Sequence, residues 1–126
     1  MPHVILEASA NIKVNTDILT TIHKILAEQL PTQLESCKSR IIRHNDYVVG
    51  DGAVANAFVH LTISVMPGRS QELLAAVAGK IMLALKEYFQ QPELNLQITI
   101  AIADLPAVYH KYEENGGSDG TRTRDL

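Results

Sequence analysis

The sequence predicts an α+β domain in which a four-stranded mixed sheet carries two helices on one face, in the order β-α-β-β-α-β. Residues 57–65 and 94–103 alternate between apolar and polar side chains, as strands with one buried face do. Residues 16–30 and 70–90 instead place apolar side chains at three- and four-residue steps, which is typical of amphipathic helices. Each half of the chain is therefore a strand, helix and strand unit. We expect the two strands of each unit to be parallel and joined by a right-handed crossover.

The first half begins with a short strand at residues 3–9, which is apolar on both faces at its centre. Asn15 or Thr16 can cap the helix that follows, and Pro31 ends it, because proline cannot continue a helix. The buried stripe of this helix consists of Ile18, Leu19, Ile22, Ile25, Leu26 and Leu30.

Residues 37–46 are predicted to form the second strand. Because successive side chains of a strand point to opposite faces, Lys38 and Arg40 share one face with Ile42, and Arg43 lies on the other. Two cations therefore point the same way.

The second half starts after a turn at residues 49–52, where two glycines can adopt positive φ angles. The third strand follows, and Ser70 is the predicted N-cap of the second helix, which stops before Pro92. The predicted buried stripe of that helix is Leu73, Leu74, Val77, Ala78, Ile81, Leu85 and Phe89.

The segment after the fourth strand, residues 105–114, is predicted to form a short docking arm that includes Tyr109 and Tyr112. Its periodicity is too brief to distinguish helix from strand. The residues beyond are polar and turn-forming, so the sequence predicts a domain at 2–113 and a disordered tail at 114–126.

Composition narrows the class of protein. The 126 residues, 46% of them hydrophobic, suit one globular domain with a modest core. A net charge of −3 gives no electrostatic reason to expect a nucleic acid or anionic membrane partner. No apolar run approaches the length of a signal-peptide core or a membrane span, so we expect a soluble, cytoplasmic protein.

Three polar or reactive side chains have structural interpretations. Cys37 is the only cysteine, which excludes an intramolecular disulfide, and it is predicted to be a small buried residue. His23 lies beside the apolar stripe of the first helix and is predicted to be on the surface. His60 lies within the third strand and is predicted to form a hydrogen bond inside the sheet.

A sheet with both helices on one face leaves its second face uncovered. Because the first strand is apolar on both faces, packing against other copies of the chain is the simplest way to bury that face. The sequence therefore predicts a cyclic homo-oligomer.

The chain lacks a Gly-rich phosphate loop, paired cysteines, HExxH and GxSxG, so dinucleotide, zinc and acyl-serine chemistry have no motif. The remaining candidates are Pro2, the pair Lys38 and Arg40, and Arg69. Removal of Met1 would make Pro2 a secondary amine at a strand end, which can act as a base if its pKa is lowered. Each candidate also has a structural interpretation, as a first strand residue, a solvated strand edge and a loop charge respectively.

Four segments carry a more specific pattern: Met-Pro-His before an apolar strand, Cys-Lys-Ser-Arg at 37–40, Ala-Phe-Val-His-Leu-Thr at 57–62, and Gly-Arg-Ser at 68–70. Together they resemble the 5-carboxymethyl-2-hydroxymuconate isomerase family of the tautomerase superfamily, over about residues 2–113. The resemblance implies a βαββαβ fold, a homotrimer with active sites between subunits, and no metal or organic cofactor.

By position, the resemblance implies that Pro2 is the catalytic base and that Arg69 binds or polarises a small carboxylate substrate. Arg40 matches a second substrate-binding arginine, whereas Lys38 stands where the family pattern has arginine. Lysine keeps the positive charge but loses the planar fork that grips a carboxylate. The implied reaction is a proton shift in an unsaturated hydroxy or keto carboxylate, as in the breakdown of aromatic compounds.

Three alternatives stay open. The chain can be a phenylpyruvate-type tautomerase or a dehalogenase-like hydratase on the same scaffold. It can also be a trimeric protein that binds an organic anion without catalysis, which the lysine at position 38 favours.

Overall fold

The structure is a computed structural model and describes residues 1–114. The predicted tail beyond Glu114 lies outside the described residues. The chain forms, in order, β1 (His3–Ser9), α1 (Asp17–Gln29), a short 3-10 helix (Leu34–Ser36), β2 (Lys38–His44), β3 (Asn56–Val65), α2 (Gln71–Tyr88) and β4 (Asn95–Asp104).

The four strands form one mixed sheet in the order β2-β1-β3-β4. β1 is parallel to β2, with His3 opposite Lys38, and β3 is parallel to β4. The two halves join through antiparallel pairing of β1 with β3, which sets His3 opposite Ser64. The predicted four-stranded mixed sheet and its parallel pairs are confirmed.

The core lies between one face of the sheet and the two helices. Val4 and Leu6 of β1 are fully buried there, as are alternate residues of β3. The helices supply the other side of the same cluster through Ile18, Leu19, Ile22, Leu26, Leu74, Val77, Ile81 and Leu85. Burial of these side chains confirms the predicted stripes, although Ile25, Leu73 and Ala78 are only half-buried.

The helix ends follow from their capping residues. Ser70 Oγ accepts a hydrogen bond from the Leu73 N–H at 3.1 Å, which confirms Ser70 as the N-cap of α2. At α1, Thr16 occupies the N-cap without a side-chain hydrogen bond. Asn15 Oδ1 accepts from the Asp17 N–H at 2.9 Å instead.

Within residues 1–114, no helix covers the second face of the sheet. We call it the open face; its central residues are His3, Ile5 and Glu7 of β1, Lys38, Arg40 and Ile42 of β2, and Phe58, His60 and Thr62 of β3. It is more polar than the apolar run in β1 suggests, because the β2 and β3 side chains beside that run are mostly polar or charged.

Three side chains can be compared with their predicted environments. Cys37 is buried, as predicted, and immediately precedes β2. His60 Nδ1 lies 2.6 Å from Thr99 Oγ1 on β4, so the predicted hydrogen bond within the sheet is present. His23 is half-buried, because its Nε2 reaches across to Ser39 Oγ of β2 at 2.8 Å.

Residues 105–114, which we call the arm, form neither helix nor strand. The arm starts from the sheet, where the Leu105 N–H donates to the Val65 carbonyl at 2.7 Å. Within residues 1–114, neither helix has the length and apolar character needed to cross a membrane.

Candidate active site

Pro2 is buried at one end of the sheet, where the central strand β1 begins and its neighbour β3 ends. Its carbonyl accepts a hydrogen bond from the Lys38 N–H at 3.1 Å, which ties the start of β1 to β2. A proline fits this position because the first residue of a strand need not donate to the ladder.

A cavity of about 260 Å³ opens beside Pro2. The end of α1, the segment that leads to β2, the end of β3 and the turn before α2 all contribute to its wall. Its lining residues are Met1, Pro2, Leu30, Pro31, Thr32, Gln33, Ser36, Val65, Met66 and Arg69. The structure thus brings Pro2 and Arg69, which are far apart in sequence, to one cavity.

Arg69 enters this cavity from a sharp turn. Gly68 has a φ of 110°, a conformation that favours glycine, and it turns the chain between β3 and α2. Arg69 Nη1 donates to the Met66 carbonyl at 2.9 Å, whereas its buried Nε has no partner among the described residues. A buried donor without a partner is costly, so this nitrogen is suited to an anionic ligand.

The amino terminus lies at the same place. The Met1 amine donates to the Ser36 carbonyl at 3.0 Å, and Lys38 Nζ donates to that same carbonyl at 2.9 Å. Burial, followed by the positive charges of Lys38 and Lys111, lowers the pKa of the Met1 amine from 8.0 to about 6. An amine in this position is therefore mostly uncharged at neutral pH.

Lys38 and Arg40 lie on the open face, as their alternation predicts, and neither lines the cavity. Lys38 nevertheless reaches the amine through the Ser36 carbonyl. Arg40 lies opposite Ile5, two residues further along β2 than Lys38. Its charge contributes to the lowered pKa of His3, after burial, the amine and Lys38.

Sequence reasoning missed the Ser36 carbonyl and the contact between His3 and the arm. His3 Nε2 and Tyr109 Oη are 2.9 Å apart, although 106 positions separate the two residues. A backbone carbonyl has no side-chain signature, and a contact over this separation depends on the strand order.

Other candidate sites have structural explanations. Within residues 1–114, no three His, Cys, Asp or Glu side chains cluster closely enough to hold a metal ion. A more open cavity of about 590 Å³ lies where β1 and β2 end, and Arg43 is one of its lining residues. Arg43 donates there to the carbonyls of Ile12 and Val14, so its guanidinium serves to fix the loop before α1.

Comparison with known proteins adds a family and a fold. A sequence model described as CHMI, 5-carboxymethyl-2-hydroxymuconate isomerase, matches residues 2–115. No curated protein gives a significant match. A solved 5-carboxymethyl-2-hydroxymuconate isomerase from Deinococcus radiodurans R1 is 20% identical, with a TM-score of 0.73, over 99% of this chain and 90% of that one.

Two further structures share the fold. A 5-carboxymethyl-2-hydroxymuconate delta-isomerase is 17% identical, with a TM-score of 0.63, over 86% of this chain and 85% of that one. A fused 4-OT protein described as a symmetric trimer is 19% identical, with a TM-score of 0.64, over 82% of this chain and 86% of that one. The chain therefore has the tautomerase fold and belongs to the 5-carboxymethyl-2-hydroxymuconate isomerase family, which supports an isomerase type of function.

Proposed function

We propose that this protein is a cofactor-independent isomerase that moves a proton within a small unsaturated hydroxy or keto carboxylate, with Pro2 as the general base. The observation that carries the proposal is the shared cavity, in which Pro2 lies together with an arginine whose Nε has no partner among the described residues. The family match supports a 5-carboxymethyl-2-hydroxymuconate-like substrate, as met in the breakdown of aromatic compounds.

The base in this proposal is the Pro2 nitrogen, which becomes an amine once Met1 is removed. In the described chain that nitrogen is part of an amide. The free amine is that of Met1, one residue earlier, and its pKa indicates how this location affects the basicity of an amine. The lowered pKa of the Met1 amine comes from burial and from Lys38 and Lys111, which surround the same end of β1. A proline amine placed here would have a large enough uncharged fraction to accept a proton near pH 7.

The reaction needs one base that acts twice. The Pro2 nitrogen takes a proton from the substrate hydroxyl or from carbon, and the electron pair left behind spreads along the conjugated chain as a dienolate. The proline ammonium then returns the proton to a different carbon, which shifts the double bond and restores the base. No oxidant, metal or organic cofactor is required for this exchange.

Arg69 supplies a positive charge that matches the negative charge of the substrate carboxylate. Arg69 lines the cavity, and its buried Nε has no partner among the described residues, so its guanidinium can pair with the substrate carboxylate and stabilise the negative charge that develops on the dienolate. Lys38 and Arg40 lie outside the cavity wall of their own subunit. In the proposal they bind substrate from the open face, and Lys38 also favours the neutral form of the amine.

The proposed assembly is a homotrimer built on the open face. Ile42 is 42% exposed there beside partly exposed Ile5 and Phe58, and neither helix covers them. One structural neighbour is described as a symmetric trimer, which supports the same arrangement for this chain.

Replacement of the base tests the proposal. Pro2→Ala should lower kcat at least about 100-fold, because a misplaced or altered base loses most of the general-base contribution. Turnover is followed by ultraviolet absorbance on a 5-carboxymethyl-2-hydroxymuconate-type substrate, and intact mass confirms in both proteins that Met1 is absent. Undiminished turnover by Pro2→Ala with an intact assembly would rule out the proline mechanism.

One observation favours a second candidate, a phenylpyruvate-type tautomerase. Within residues 1–114, Arg69 is the one cationic side chain that lines the cavity, and the apolar Leu30, Val65 and Met66 share the wall. This lining suits a substrate with a single carboxylate and an apolar group. A higher kcat/KM on phenylpyruvate than on the muconate substrate would favour that candidate, and carboxylate binding without turnover of either would favour a binding protein.

A further inference from the structure

The arm crosses the end of the sheet to reach His3, the residue next to the proposed base. It leaves β4 at Leu105, where the N–H donates to the Val65 carbonyl of β3. Because β3 lies between β4 and β1, a segment that starts at β4 must pass β3 before it can touch β1. The contact between Tyr109 and His3 shows that the arm completes this path.

The arm presents one side to the protein and the other to solvent. Tyr109 and Lys111 are half-buried, whereas Val108 is 80% exposed and Tyr112 is 72% exposed. This alternation is that of an extended segment with one inward face. The Lys111 side chain is 22% exposed, and its Nζ lies 3.4 Å from Glu113 Oε1 on the same inward side.

Tyr109 holds the residue that follows Pro2. Its hydroxyl is 2.9 Å from His3 Nε2, and the two rings meet edge to face with centroids 6.0 Å apart. Burial, the amine, Lys38 and Arg40 all lower the pKa of His3, so the imidazole is neutral at pH 7 and pairs with the hydroxyl as an uncharged partner.

We propose that the arm is a positioning element of the active site. In it, Tyr109 fixes the start of β1 through His3, and Lys111, on the same inward side of the arm, adds a positive charge at this end of the sheet. This inference rests on the proposed proline mechanism. The other titratable or charged groups at this end of the sheet are Lys38 of β2, Cys37 just before it, His3 on β1 and Arg69 in the cavity. Glu113 of the arm, 3.4 Å from Lys111, carries the opposite charge. Lys111 is the cation that the arm adds to this set.

The charge is tested by titration of the amine itself. In the full chain without Met1, proline labelled with ¹⁵N reports the protonation of the Pro2 nitrogen by NMR as pH is varied. Lys111→Met should move the midpoint of this titration to higher pH. At a pH below the midpoint, the uncharged fraction of the Pro2 amine should then fall about two- to tenfold. Lys111→Arg should restore the midpoint, and Lys80→Met, on the solvent side of α2, should leave it unchanged.

The hydrogen bond is tested by kinetics. Tyr109→Phe should lower kcat about three- to tenfold with little change in KM, since one neutral hydrogen bond contributes about 1 kcal/mol. Tyr112→Phe, on the outward side of the arm, is the matched control and should keep full turnover. If Tyr109 acts through His3, adding Tyr109→Phe to His3→Asn should cause no further loss.

The outcomes separate the two proposals. An unchanged midpoint in Lys111→Met, or an equal shift in Lys80→Met, would overturn the role of Lys111 even where Pro2→Ala is inactive. Full additivity of the His3 and Tyr109 variants would overturn the role of Tyr109. A shifted midpoint together with undiminished turnover by Pro2→Ala would support the placement of Lys111 and contradict the proline mechanism.

Discussion

At the scale of single residues, Arg69 is, among the described residues, the charged side chain that lines the cavity beside Pro2. Its Nη1 is occupied by the Met66 carbonyl, and its Nε is buried without a partner among the described residues. A substrate carboxylate would supply the missing acceptor, so the site is better satisfied with an anion bound than without one.

Removal of this guanidinium should affect catalysis more than folding. Arg69→Ala should lower kcat/KM about 10- to 100-fold, because hydrogen bonds to charged groups contribute about 1.5–3 kcal/mol. The kcat/KM of Arg69→Lys should lie between those of Arg69→Ala and the unmodified protein, since lysine keeps the charge without the planar fork of the guanidinium. Steady-state kinetics gives the loss, and Lys80→Ala is the control. A kcat/KM for Arg69→Ala equal to that of the unmodified protein would remove Arg69 from the site.

The amino terminus should also couple to stability, in a direction that follows from its pKa. In the chain that retains Met1, the folded amine has a pKa of about 6 and the unfolded amine keeps the ordinary 8.0. Between these pH values the unfolded chain binds more protons, so the free energy of unfolding should rise with pH across this window. Urea denaturation of the free and the N-acetylated protein measures the effect as their difference. A difference that is flat or falls with pH would contradict the burial of the amine.

At the scale of elements, the two helices begin in different ways. Ser70 Oγ accepts a hydrogen bond from the first turn of α2, whereas Thr16 makes no side-chain bond at α1 and Asn15 Oδ1 takes over that role. Sequence alone predicted Ser70 as a cap and left Asn15 and Thr16 open, because both residue types are good caps and only the local backbone decides between them.

This difference predicts unequal costs for equivalent substitutions. Ser70→Ala should lower the free energy of unfolding by about 1 kcal/mol, because an N–H in the first turn loses its acceptor. Thr16→Ala should cost clearly less, since no such bond is present. Urea denaturation of both variants checks the order. A loss at Thr16 as large as that at Ser70 would show that the capping contacts are misassigned.

At the scale of the whole molecule, the open face is the surface that the fold leaves for assembly. Ile42→Glu should convert the proposed trimer to monomers, because it places a charge on that face where Ile42 is 42% exposed. Leu83→Glu is the matched control, since Leu83 is 66% exposed on α2. Sedimentation analysis gives the masses. A trimer in Ile42→Glu, or a monomer in the unmodified protein, would contradict the proposed interface.

Much of this architecture is predictable from the sequence, and the residues show where prediction stops. Alternation in β3 and β4 and the apolar stripes of the helices identify the elements, and the alternation of Lys38 with Ser39 assigns their faces correctly. The antiparallel pairing of β1 with β3 has no signature in periodicity, yet it places Val65 and Arg69 beside Pro2. The Ser36 carbonyl and the contact between His3 and Tyr109 depend on that same pairing, so sequence reasoning could not supply them.

The central claim is that the Pro2 nitrogen acts as the base, and removal of one residue from a single preparation tests it most directly. The chain is purified with Met1 retained, its turnover of a muconate substrate is measured, and an aminopeptidase then removes Met1 from the same sample. The proposed mechanism predicts negligible turnover while the proline nitrogen is an amide, followed by an increase of at least about 100-fold when it becomes an amine. Equal turnover before and after removal, with intact mass confirming the change, would contradict it.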